Sequence, residues 1–235
     1  MNLSLHPTAE RANEAAESLL AGWLTASRVQ TLMVAAGNSP LDLYHRMAER
    51  RLPLGHLDVF TLDEYVGVPR DEPRNCTNLL RRSVAEAWNL RPDRFLAISS
   101  QESDALASAQ EQERRVAAAG GLDVVILGLG QNGHLGFNEP GSTADSVARV
   151  LELEPISVEA NRKWFGGEYA PAQGVTVGLK TILAARRILI LAYGSHKTAA
   201  VRAMTRGPIS PACPTSFLQN HPSVHLFLDS AAAGI

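Results

Sequence analysis

Four short segments carry residue types that do more than pack. Leu62-Asp63-Glu64-Tyr65 sets two carboxylates side by side. One of them, in a partly dry cleft, would be a general base; the plainer reading is a solvated loop with a helix-capping Asp. Residues 128–140 read Gly-Leu-Gly-Gln-Asn-Gly-His-Leu-Gly-Phe-Asn-Glu-Pro, with five glycines or prolines in thirteen positions. Such a segment is neither helix nor strand and must be a loop with special backbone geometry. His134 there has little packing to do and can titrate near neutral pH, and Glu139, five residues on, is placed to orient it. Otherwise the histidine satisfies a loop carbonyl. Ala36-Gly37-Asn38-Ser39-Pro40 reads as a capped turn into a helix, with Ser39 as cap and Pro40 in the first turn, or as an anion site made of helix N–H groups and the Ser39 hydroxyl. Tyr193-Gly194-Ser195-His196-Lys197 puts Lys197 in a first helical turn, where the dipole disfavours a cation unless an anion is bound. A surface lysine is the alternative.

Other patterns point away from chemistry. Gly128, Gly130 and Gly133 match a dinucleotide fingerprint in spacing, but no clean helix opens there and Pro140 follows. His221 and His225 are four apart, yet Pro222 breaks a common helical face and no third metal ligand stands near, so no metal is expected. Cys76 and Cys213 make no disulfide framework and read as inert thiols in a reducing compartment. Trp23, Trp88 and Trp164 read as core or helix-face residues.

The elements that must position these segments follow from periodicity. Apolar residues at helical spacing predict a helix over residues 7–27. Short β-rich runs cover 30–36 and 57–62. Residues 77–90 and 103–119 read as helical. Residues 122–127 (Leu-Asp-Val-Val-Ile-Leu) suit a central strand covered on both faces, and 186–193 a second such strand followed by a helix through Met204. Residues 224–228 form a last strand. Strands separated by helices predict an α/β fold, a Rossmann-like open and mostly parallel sheet with helices on both faces, as one domain over 1–235. Ligands of such sheets sit outside the carboxyl ends of the strands, where every unusual motif here lies. The 235 residues are 45% hydrophobic with a net charge of −2, so no basic excess suggests nucleic acid. No apolar run approaches a bilayer span and no secretory signal opens the chain, which predicts a cytoplasmic protein with no membrane partner.

Taken in order, the Gly-x-Ser-Pro turn, Leu-Asp-Glu-Tyr-Val-Gly, the thirteen-residue loop and Gly-Ser-x-Lys resemble the glucosamine-6-phosphate deaminase (isomerase) family over about residues 31–229. The related 6-phosphogluconolactonases share the fold and a similar histidine loop, but lack the Phe-Asn-Glu-Pro and carry Asp-Glu-Arg at the position of residues 63–65. The resemblance implies conversion of glucosamine 6-phosphate and water to fructose 6-phosphate and ammonium, without metal or organic cofactor. It assigns ring opening to His134, the C2-to-C1 proton transfer to Asp63 and orientation of the histidine to Glu139. Gly37, Asn38, Ser39 and Lys197 match the phosphate site. A lid arginine of the family falls on Lys163, with Arg162 adjacent. Asn132 stands where many members have Asp; a carboxylate there would stabilise the imidazolium. Arg74-Asn75-Cys76 replaces a Ser-Tyr pattern near the substrate, which leaves galactosamine 6-phosphate as a competing substrate. A lactonase and a sugar-phosphate-binding regulator are the other rivals. Longer hexameric members have a second, activating phosphate site using an Arg and a Lys two residues apart. Here these fall on Arg149 and Leu151, with Glu152 next, so a non-allosteric monomer or small homo-oligomer is expected.

Overall fold

The computed structural model describes residues 1–26 and 28–235. In chain order the elements are β1 (Asn2–His6), α1 (Ala9–Leu24), β2 (Thr31–Val34), α2 (Asn38–Glu49), β3 (Asp58–Thr61), β4 (Asp63–Tyr65) and α3 (Cys76–Leu80), which continues as a π-helical turn (Arg81–Glu86). Then come β5 (Phe95–Leu96), α4 (Ala105–Ala118), β6 (Val124–Gly128), β7 (Arg149–Glu152), α5 (Pro155–Trp164), β8 (Gln173–Thr176) and α6 (Leu179–Leu183). The last are β9 (Arg187–Ala192), α7 (Thr198–Arg206), β10 (Val224–Asp229) and α8 (Ser230–Ala233).

Side-chain alternation in the inner strands dictates two covered faces. Leu32 and Val34 of β2 point into one core with Val124, Ile126, Leu189 and Leu191, and α1 and α2 cover it with Leu20, Leu24, Leu43 and Met47. Met33 points the other way, with Val125, Leu127, Ile188 and Ile190, under α4, α6 and α7. The seven strands are parallel throughout, in the order β1-β10-β9-β6-β2-β3-β5. The chain builds outward from β2 through β3 and β5 on one side, and through β6, β9 and β10 on the other. The reversal between β2 and β6 opens a crevice at their carboxyl ends, where sheets of this kind bind ligands.

Several elements differ from the sequence expectation. The first helix is Ala9–Leu24, started by Thr8, whose hydroxyl accepts from the Arg11 N–H. Ser27, where its end was expected, lies outside the described residues. Ser39 is not the cap of α2; Gly37 is, and no side chain caps that helix. Asp63 to Tyr65 is not a terminating loop but the strand β4, in a second, antiparallel sheet ordered β4-β8-β7. Among the described residues, strand β1 pairs on one side only, with β10. Among the described residues no helix is long and apolar enough to cross a membrane.

Candidate active site

A cleft of about 500 Å³ lies at the carboxyl ends of β2, β3, β6 and β9. Its first wall is the turn after β2. Gly37 has φ 136° and ψ 159°, a conformation essentially closed to residues with a Cβ. It delivers the chain into α2, where the N–H groups of Asn38 and Ser39 have no acceptor within the helix. Both residues line the cleft, together with Lys197. Lys197 closes a 3-10 turn, Ser195–Lys197, entered through Gly194 at φ 84°. Asp229 fixes that turn by accepting the Gly194 N–H on both oxygens, each at 3.0 Å. Lys197 is half-buried, burial lowers its pKa, and no carboxylate among the described residues pairs with it. A desolvated, unpaired ammonium beside orphan helix N–H groups is a site for an anion.

The adjacent carboxylates divide their tasks because β4 is a strand, and successive side chains of a strand leave on opposite faces. Glu64 points inward, accepting N–H bonds from Tyr65 (2.8 Å), Cys76 (3.0 Å) and Thr77 (2.7 Å), so it anchors the start of α3. Burial raises its pKa, and those bonds oppose the shift. Asp63 points into the cleft and accepts no hydrogen bond from any described residue. Burial, and after it the charge of Glu64, raises its pKa to about 8. It is a buried carboxylate poised to take a proton. Cys76 also lines the cleft, but burial holds its thiol well above the ordinary range, as expected of an inert cysteine.

The loop after β6 needs its glycines for close approach. A Cβ on Gly130 would stand 2.2 Å from Cδ2 of His134, and one on Gly136 would stand 2.8 Å from Leu62 and 3.0 Å from the Asp63 carboxylate. Gly136 also has φ 57°. The loop thus lays the His134 ring across backbone. His134 Nδ1 is 3.2 Å from Glu139 Oε2, an arrangement that calls for a proton on Nδ1 and leaves Nε2 to exchange protons with a ligand. Glu139 is buried and also accepts from Asn132 Nδ2 (2.7 Å) and Ser157 Oγ (2.5 Å). Burial pushes its pKa up, but the bonds and charge of His134, with Ser157 and Asn132, outweigh burial and leave it lowered. Asn132 acts on Glu139 and, through Oδ1, on the His134 backbone N–H (3.2 Å), rather than on the imidazole ring.

Of the expected site residues, Gly37, Asn38, Ser39, Asp63, Asn132, His134 and Lys197 line this one cleft, with Glu139 directly behind His134. Lys163 and Arg162 do not reach it. Helix α5 turns Ser157, Ala160, Asn161 and Trp164 toward the cleft, so residues 162 and 163 fall on the opposite, exposed side, each 3.6 Å from Glu159. Three residues the sequence reading passed over stand in the site. Ser157 completes the Glu139 shell, Trp164 forms a wall rather than serving only as a packing residue, and His196 lines the cleft beside Lys197. The spacing of Ser157, Asn161 and Trp164 was the one available signal, a single face of a helix. Away from the cleft, His221 is a buried structural histidine, with Nε2 2.8 Å from the Ala185 carbonyl and Nδ1 accepting from the Ser223 N–H. Among the described residues no cluster of three His, Cys, Asp or Glu is fit to hold a metal ion.

Comparison with known proteins agrees with this geometry. Residues 6–226 match the family model described as glucosamine-6-phosphate isomerases/6-phosphogluconolactonase. A glucosamine-6-phosphate deaminase of Corynebacterium kroppenstedtii is 37% identical, with 99% of this chain and 92% of that protein covered. One of Rhodopirellula baltica is 38% identical, covering 95% and 92%. A solved structure of a monomeric glucosamine-6-phosphate deaminase superposes with a TM-score of 0.94 at 29% identity, over 100% of this chain and 99% of that one. The 6-phosphogluconolactonase of Trypanosoma brucei shares the fold, with a TM-score of 0.81 at 22% identity over 99% and 97%. A match across nearly all of the sequence, joined to the Asp63, His134 and Lys197 cleft, places this chain in the glucosamine-6-phosphate isomerase/6-phosphogluconolactonase family.

Proposed function

We propose that this chain, as one domain over residues 1–235, is an amino-sugar phosphate deaminase that converts glucosamine 6-phosphate and water to fructose 6-phosphate and ammonium. The observation that carries the reading is the pairing, in one cleft, of a carboxylate with no donor among the described residues (Asp63) and a carboxylate-oriented histidine (His134). Lys197, the N–H groups of Asn38 and Ser39, and the Ser39 hydroxyl hold the phosphate. His134 Nε2 moves a proton between the sugar's O1 hydroxyl and ring oxygen, opening the ring, while Glu139 steadies the imidazolium that forms. Asp63 takes the proton from C2 of the open chain and returns it to C1 while an amine proton passes to O1, which leaves a C2 imine that water hydrolyses to the ketone and ammonia. Lactone hydrolysis has no use for a C2 base. Tyr65 packs at a tilt on Phe137 and edge-on to Phe165, each 5.1 Å between ring centroids, so the two positions at which the chain departs from the lactonase pattern pack together. The protein acts in the cytoplasm as a monomer or small homo-oligomer. An ammonia-release assay on glucosamine, galactosamine and N-acetylglucosamine 6-phosphates, with 6-phosphogluconolactone as control, tests the reading. Release from glucosamine 6-phosphate is expected. Preference for the galacto epimer reassigns the substrate, and lactone hydrolysis without ammonia refutes the reaction.

A further inference from the structure

Glu139 receives Asn132 and His134 on the same oxygen, Oε2, and both donors belong to its own loop. Its other oxygen, Oε1, takes a bond from Ser157 at 2.5 Å. Ser157 Oγ is also 3.4 Å from His134 Nδ1. A separate element, α5, therefore contributes the hydroxyl that fixes the rotation of the carboxylate behind the histidine. That helix is lightly held. Only Ser157 and Asn161 of its residues are buried, no side chain caps its start, and its outer charges Glu159, Arg162 and Lys163 pair with one another.

Its far end is anchored by the buried Phe165 and the Asn161 bond to Pro171, and it is tied to another part of the chain by Arg74. Arg74 Nη1 donates to the Phe165 carbonyl (2.9 Å) and Nη2 to Glu168 (2.5 Å). Its guanidinium lies 5.6 Å from the Phe165 ring centroid. On the other side Nε and Nη2 bind Glu72 at 2.6 and 3.2 Å. The Arg74 carbonyl accepts the Trp164 indole N–H at 2.9 Å. One planar fork spans two carboxylates and a carbonyl, an arrangement a lysine cannot copy.

We propose that Ser157 is a positioning residue for the His134–Glu139 pair, and that Arg74 is the latch that keeps α5, and so Ser157, in place. The inference rests on the reading of His134 as the ring-opening group. His134 is the one titratable group that faces Glu139 among the described residues; Asn132 and Ser157 do not titrate, and the carboxylates that Arg74 faces are Glu72 and Glu168. Removing the Ser157 donor destabilises ionised Glu139, so the Glu139 carboxyl titration moves to higher pH. Since Ser157 acts through Glu139, kcat falls while KM holds.

The test uses Ser157→Ala, Ser157→Thr, Arg74→Ala and Arg74→Lys in the full chain. The readouts are kcat and KM against pH, the Glu139 carboxyl titration by 13C NMR, and hydrogen exchange of residues 155–164. Ser157→Ala should lower kcat about tenfold and raise the Glu139 titration, as loss of a bond to a charged group does; Ser157→Thr should restore both. Arg74→Ala should speed exchange in 155–164 by about tenfold or more, with β2 and β6 unchanged, and move the Glu139 titration the same way. Arg74→Lys should fall between Arg74→Ala and wild type. An unmoved Glu139 titration in Ser157→Ala overturns the positioning role, and unchanged α5 exchange in Arg74→Ala overturns the latch. If the wild-type chain releases no ammonia, the reaction assignment fails by itself, and the titration and exchange results still decide this proposal.

Discussion

Asp63→Asn should raise stability while it removes activity, and the two effects have one cause. The native carboxyl has its pKa raised from 3.8 to about 8 by burial and then by the Glu64 charge. A group whose folded pKa lies above its unfolded one costs nothing while both states are protonated, and costs progressively more as pH rises through the window between the two values. Each tenfold change in an ionisation constant is worth about 1.4 kcal/mol, so the penalty is about 2 kcal/mol at pH 5 and about 4 at pH 7. It levels off near 6 kcal/mol, as an order of magnitude, above pH 8. Asparagine keeps the shape and never ionises. Urea unfolding at pH 5, 7 and 9 should therefore show the variant gaining on wild type as pH rises, with most of the gain in place by pH 8. Ammonia release should fall by about 10²–10⁴, the usual cost of losing a general base. In the wild-type enzyme the same titration should appear in kcat/KM as an acid limb near pH 8. A stability gap that does not grow with pH, or an asparagine variant active within a fewfold of wild type with C2 deuterium exchange intact, refutes the reasoning.

Lys197→Ala should raise KM roughly ten- to hundredfold with a smaller effect on kcat, the value of a charge-assisted bond to phosphate, checked by initial rates. Gly130→Ala should cost kcat by about 10² or more with little change in Tm, because the new Cβ would occupy the place of the His134 ring. Asn132→Asp should raise the Glu139 carboxyl titration, since a donor 2.7 Å from Glu139 becomes a like charge; a pH–rate profile that does not move would show that residue 132 is insulated from the pair. Kinetics should be hyperbolic and indifferent to N-acetylglucosamine 6-phosphate, because the Arg149 guanidinium is engaged with the Asn138 side-chain oxygen and the Ser142 hydroxyl, with Leu151 and Glu152 beyond it. A sigmoidal curve made hyperbolic by that compound would refute this.

The seven-stranded sheet was legible because strands buried on both faces leave apolar runs that few other structures explain. Residues 122–127 and 186–193 fell close to β6 (Val124–Gly128) and β9 (Arg187–Ala192). Strand β1 escaped notice because an edge strand needs only one covered side, and Leu3 and Leu5 are exposed on it. The β4-β8-β7 sheet escaped for a different reason. Asp63-Glu64-Tyr65 has no strand pattern of its own, and its pairing with residues 174–176 is set by tertiary contact. That Arg162 and Lys163 lie off the cleft lining was not legible, because a motif position carries no helical phase. The site glycines could be read because backbone geometry is local, whereas Ser157 lies 18 residues from Glu139, and Arg74 lies 91 from Phe165. No local rule connects residues at such separations.

The pair Asp63-Glu64 shows how far composition can be trusted and what must be added to it. Two adjacent carboxylates could be a base or a cap, and the sequence offers no way to choose. The structure gives the two residues different surroundings, and neither is a solvated cap. Had the segment been a loop, as expected, the two side chains would have been free to share the backbone donors at the start of α3. As a strand it sends Glu64 to three N–H groups and denies all of them to Asp63. Three such donors make a carboxylate a weaker proton acceptor than burial alone would; one with none, buried beside a like charge, is a good one. The small antiparallel sheet therefore shapes the cleft as well as the fold, because its alternation separates the anchoring carboxylate from the one left free in the cleft. Substitutions at residues 173–176 that weaken β8 would act on Asp63 without touching the cleft.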